Sequence, residues 1–169
     1  MTHPDDLHPY DGKERRFRHD DADPSQRVRD LALVARVLGL PAPPPSEGLR
    51  YDLRFYSGGM GILDRLHVAL PCAPAEVDAL VARLGLATPE AAVADEAWRE
   101  DFEWLVLDED EPRSLQAAVA AFIEENRTEL QPSSDEHARV WFSRESGVNA
   151  WSLVYEQDGV LSLIAFNQG

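Results

Sequence analysis

Three short runs near the C-terminus constrain this chain more than anything else in it. Val140-Trp141-Phe142, Trp151-Ser152-Leu153-Val154-Tyr155 and Val160 to Phe166 are apolar and rich in β-branched and aromatic residues. Asp158-Gly159 separates the last two runs, and Ser146-Gly147 lies between the first two. Asp-Gly readily takes the positive φ angles of a type I′ turn, whose twist matches that of paired strands. Strands joined this closely pair antiparallel, because a parallel neighbour needs a crossover of a dozen or more residues. The end of the chain therefore reads as a three-stranded meander.

Upstream, Asp23-Pro24-Ser25-Gln26 offers an acceptor at the N-cap, Pro at N1 and Gln at N3, which starts a helix. Val28, Leu31, Val34, Ala35 and Leu38 follow at helical spacing, and Gly39-Leu40-Pro41 stops it. Leu49 to Phe55 alternates apolar and polar residues, as do Leu66, Val68 and Leu70 with Arg65 and His67. With Ser57-Gly58-Gly59-Met60-Gly61 between them, these segments read as a hairpin. A second helix follows Pro74, with Val77, Leu80, Val81 and Leu84 on one face and Gly85 as its stop. Thr88-Pro89-Glu90 opens a third helix, expected to run to about Glu100 with an extended segment over 102–107. The alternative is that the helix continues, since Trp98, Phe102 and Leu105 also stand at helical spacing. A fourth spans Leu115 to about Arg127. Residues 1–22 are polar, lack apolar periodicity and read as a tail. Residues 23–169 are then one α+β domain, expected in two layers. Its largely antiparallel sheet would combine the N-terminal hairpin and the C-terminal meander under three to four helices.

Charge narrows the function. With 16 Lys+Arg against 31 Asp+Glu, the chain carries a formal charge of −15. Sequence-independent nucleic-acid binding and attraction to anionic membranes both need a basic face, so neither is expected. No apolar run approaches a membrane span and no basic-then-apolar leader begins the chain, so a cytoplasmic location is expected. Cys72 is the only cysteine, which leaves no intrachain disulfide and no cysteine-based zinc site.

The acidic residues are concentrated. Between Thr88 and Pro112 ten carboxylates face a single basic residue, Arg99, so this stretch holds nine of the fifteen net negative charges. Such density costs stability through self-repulsion. It suits docking against a basic protein, where complementary fields raise the association rate. Glu96, Glu100, Asp101, Glu103, Asp108, Glu109, Asp110 and Glu111 are the expected partner-binding residues. The leading expectation is thus a non-enzymatic binding protein acting on a basic partner, with an immunity or inhibitor role as its sharpest form. The alternative is an enzyme or small-molecule binder assembled from His67, Cys72, His137, Glu103, Arg50, Arg54 and Arg65. A homodimer closed through an aromatic sheet face carrying Trp141 and Tyr155 is a further option.

No cofactor or metal site is expected. Asp108-Glu109-Asp110-Glu111 lacks the alternating spacing of an EF-hand loop. The glycine-rich loop lacks the lysine and following helix of a phosphate cradle. His3, His8 and His19 match no tight metal-ligand spacing.

Leu40-Pro41 followed by Phe55-Tyr56-Ser57-Gly58-Gly59 resembles the "LP … FY-N-GG" stretch of SUKH-superfamily immunity proteins. That resemblance implies a small, acidic α+β protein that neutralises a toxin by binding it. In that family the stretch before the glycine pair is usually helical, whereas here it alternates as a strand.

Overall fold

The computed structural model describes residues 7–59, 61–107, 110–111, 113–135, 137–144, 146–147 and 149–169. Its strands are β1 (Lys13–Arg18), β2 (Arg50–Gly58), β3 (Gly61–Pro71), β4 (Arg139–Phe142), β5 (Ala150–Gln157) and β6 (Val160–Gln168). Its helices, among the described residues, are α1 (Pro24–Val37), α2 (Pro74–Leu84), α3 (Pro89–Ala94), α4 (Arg99–Val106) and α5 (Leu115–Asn126). The strands form one sheet in the order β1-β2-β3-β6-β5-β4, and every neighbouring pair is antiparallel. Two meanders, one from each end of the chain, meet where β3 pairs with β6, from Leu63↔Gln168 to Pro71↔Val160. The α+β class and the antiparallel sheet are as the sequence implied.

Three details differ. First, the polar N-terminal segment supplies an edge strand, with Lys13↔Ser57 through Arg18↔Asp52 paired to β2. A strand carried by a neighbour's ladder needs no apolar pattern of its own, and charges on an edge discourage further pairing. Second, helices cover both faces of the sheet, giving three layers rather than two. Val34 of α1, its C-cap Leu38, and Val77 and Leu80 of α2 pack with Tyr51, Leu53, Val68, Val154 and Leu163. On the opposite face Ala92, Phe102, Val119 and Ile123 pack with Phe142, Trp151, Leu153, Tyr155 and Ile164. Strands β5 and β6 are apolar on both faces, so both faces must be covered. Third, residues 102–106 are helical, not extended. The chain breaks after α3, Asp95 caps the next turn through the Ala97 N–H at 2.9 Å, and α4 buries Phe102 and Val106 at i, i+4.

The helix starts follow their local signals. Asp23 accepts from the Gln26 N–H at 2.8 Å, with Pro24 at N1. Thr88 and Ser114 cap α3 and α5 through the Ala91 and Ala117 N–H groups. The loop after α5 is tied to the sheet by Gln131. Its buried amide donates to the carbonyls of Val68 on β3 and Leu163 on β6, at 3.1 and 2.7 Å, at the seam between the two meanders.

Candidate functional site

Helix α4 presents Phe102 and Val106 inward and Arg99, Glu100, Asp101, Glu103 and Trp104 outward. Its eight residues cannot bury every apolar side chain on one narrow stripe, so Trp104 is left 72 % exposed. Glu100 lies one turn before Trp104 on the same face of the helix, and Glu103 precedes it in sequence and projects to a neighbouring face. Glu96, Glu100, Asp101 and Glu103 are exposed and form no ion pair among the described residues. A groove of about 520 Å³ runs between α4 and α5 from Trp104 past Leu107 and Ala121 to Phe122. Glu111, paired with Arg113, and Glu125 stand at its edges. Asp110 is exposed, and Asp108 and Glu109 lie outside the described residues. The structure therefore brings Trp104 and Glu111 to one groove, whereas Glu100 and Glu103 lie on the same helix as Trp104 without lining it. The sequence gives no sign that Trp104 points outward, because in an extended run over 102–107 it would share a face with Phe102 and Val106, and only the helix turns it away from them.

The residues considered for an enzyme separate. Arg54, Arg65 and His67 line one cavity on the sheet, whereas Cys72, His137, Glu103 and Arg50 do not line it. Cys72 sits before α2, where its thiol lies 3.6 Å from the Glu76 carboxylate. Burial, together with that carboxylate, raises its pKa to about 11, so it is a poor nucleophile at neutral pH. His137 is exposed at the turn before β4.

Burial lowers the His67 pKa, outweighing its hydrogen bond to the Asn126 carbonyl at 2.9 Å. His67 is thus neutral near pH 7. Because a carbonyl only accepts, Nε2 carries the proton and Nδ1 keeps its lone pair.

The aromatic residues that offered a dimer face are interior. Trp141, Trp151 and Tyr155 are buried in the chain's own core, with Trp151 against Phe122 at 4.8 Å between ring centroids. Among the described residues no three His, Cys, Asp or Glu side chains group as metal ligands, and His3 lies outside them. His8 contacts Asp64, and His19 contacts Asp20. No described helix is long and apolar enough to cross a membrane. Of the residues that resemble the SUKH proteins, Phe55 to Gly58 lie in β2, a strand where those proteins are usually helical, and Leu40-Pro41 precede it. Compared with protein-family models, with curated proteins and with solved structures, the chain finds no match.

Proposed function

We propose that this protein works by binding a basic segment of another protein through α4 and the groove beside it. The observation that supports the reading is Trp104, an exposed indole on an acidic helix whose Glu100 and Glu103 form no ion pair among the described residues. Tryptophan dominates interface hot spots because its large rigid face loses little entropy on binding. An Arg or Lys placed over that face gains a cation–π attraction. Glu100, one turn away on the same face, adds Coulombic attraction, and Glu103 adds to the negative field of the helix. The wider charge of −15 draws a basic partner from a distance and sets the approach rate rather than the final affinity. An inhibitor or immunity protein is the form of this activity in which the covered segment is the partner's own working surface.

The test is capture at low salt on the immobilised protein, run beside Trp104→Ala. A basic partner is expected that wild type retains and the variant loses. Its affinity should fall steeply with salt, as the Debye length shrinks from about 10 Å at 0.1 M to about 3 Å at 1 M. Equal capture by Trp104→Ala, or binding indifferent to salt, would remove the proposal.

A further inference from the structure

The register of the sheet sets three arginines side by side. Arg16 of β1 is opposite Arg54 of β2, which is opposite Arg65 of β3. The row continues with Phe166 of β6 and Trp151 of β5. Like charges directly opposite one another on neighbouring strands are destabilising, so such a row needs counter-charge. Asp52 supplies part of it. Arg16 donates to both Asp52 oxygens at 2.9 and 2.7 Å, and Arg54 approaches one of them at 3.4 Å. Arg65 has no hydrogen bond or ion pair among the described residues. One carboxylate therefore serves two guanidinium groups, and the third has none.

Arg65 borders a cavity of about 370 Å³ where the helix-covered half of the sheet gives way to its open half. Phe166, Trp151 and Ile164 form the apolar side, with the two rings stacked at 6.0 Å between centroids. Arg54 and Arg65 form the cationic side, and His67, Thr128 and Glu125 complete the wall. The Thr128 hydroxyl oxygen is buried and has no hydrogen-bond partner among the described residues. Neutral His67 keeps Nδ1 as an acceptor. An apolar wall, a few converging polar groups and this volume are the ordinary make-up of a small-ligand site.

We infer that this cavity binds a small planar monocarboxylate, its carboxylate on Arg65 and its flat apolar body against Phe166. A guanidinium fork matches a carboxylate in a bidentate, charge-assisted pair, which a lysine would not reproduce. Arg16, Arg54 and Arg65 set against Asp52 and Glu125 leave one positive charge, which a monoanion neutralises and a phosphate dianion would overshoot. A hydroxyl on the ligand finds an acceptor in His67. The site lies on the sheet and does not use Trp104; it shares only Glu125 with the groove beside α4, and its test does not depend on the docking face.

Titration calorimetry with three probes tests this: para-hydroxybenzoate, the neutral para-hydroxybenzamide and the dianion phenyl phosphate. Para-hydroxybenzoate is expected to bind saturably with a Kd of about 1 mM or below, and the amide at least about tenfold more weakly. Arg65→Gln should weaken para-hydroxybenzoate by about tenfold or more while leaving the apo protein as stable as wild type or more so, because it relieves the Arg54–Arg65 repulsion. Arg65→Lys keeps the charge and should still lose most of the affinity through the lost fork. Absence of saturable binding, equal binding of the amide, tighter binding of phenyl phosphate, or an Arg65→Gln affinity equal to wild type would each overturn the assignment. Should Arg65→Gln fail to fold, Arg65→Lys and the probe comparison decide.

Discussion

Tyr51 and Asp30 meet in the closed space between the sheet and α1, where the phenol donates to the carboxylate at 2.6 Å. Asp30 is only 2 % exposed, and among the described residues its one other side-chain donor is the Gln26 amide at 3.0 Å. Tyr51→Phe removes one partner and leaves a carboxylate buried. It should cost about 1–3 kcal/mol in urea unfolding at neutral pH. Combining it with Asp30→Leu should cost less than the two single changes summed, because no orphaned charge then remains. Burial and the bond to Asp30 raise the Tyr51 pKa. A raised folded-state value stabilises fully below the unfolded value, so this contribution should be lost as pH rises above about 10.

Asp52 should govern the acid side of the stability curve. Burial alone would raise its pKa, but the hydrogen bonds from Arg16 and Arg54 outweigh that and hold it below the usual carboxylate range. The stabilisation is present above the unfolded value of about 3.9 and is lost as pH falls through the lower folded value. Asp52→Asn should therefore destabilise at pH 7, by about 1–3 kcal/mol, and converge on wild type under acid conditions. Parallel urea titrations at several pH values measure this directly.

His67 should add a second, separate pH dependence. Its folded pKa is lowered by burial, so the folded state binds its proton less readily than the unfolded chain. Stability should begin to fall as pH drops below about 6.5, the unfolded value. His67→Gln keeps a side chain able to donate to the Asn126 carbonyl and should flatten that part of the profile. A slope unchanged by the substitution would assign it to another group.

Cys72 should be slow to alkylate. With its pKa raised to about 11 by burial and by Glu76, little thiolate exists at neutral pH. The reaction rate with iodoacetamide, followed by mass spectrometry on the folded protein, should climb only in strong alkali. Glu76→Gln should bring that rise to lower pH.

The turn between β5 and β6 depends on backbone sign. Asp158 and Gly159 have φ of 53° and 77°, the geometry of a two-residue type I′ turn. A Cβ at Gly159 would meet nothing within 4 Å, so any cost of Gly159→Ala is conformational. It should be about 1–2 kcal/mol by thermal or urea unfolding. Asp158→Asn should be neutral or slightly stabilising, since Asn-Gly suits the same turn.

Much of the local architecture was legible because its causes are local. Asp158-Gly159 needs only its own φ angles to make a hairpin, and Asp23-Pro24 needs only the first turn of α1 to cap it. The acidic stretch was legible as charge, since charge does not depend on folding. Segment 102–106 was less so, because Phe102, Leu105 and Val106 suit a helix face and a buried strand alike. Its state was decided by what Phe102 packs on, the Phe142 ring at 5.0 Å, forty residues away in sequence.

Sequence alone therefore determined the α+β class, the antiparallel meander, most helix starts and the placement of negative charge. Each is set by residues within a few positions of one another. Tertiary structure decided everything that depends on a distant partner. It made a strand of polar residues 13–18 by pairing them with β2, and buried Asp30 because Tyr51 was there to bond it. Val28, on the expected inner face of α1, is instead 67 % exposed, since the helix is turned to put Asp30 and Val34 inward. The arginine row and its cavity arise only when register aligns Arg16, Arg54 and Arg65 on three strands, a relation that no spacing along the chain encodes.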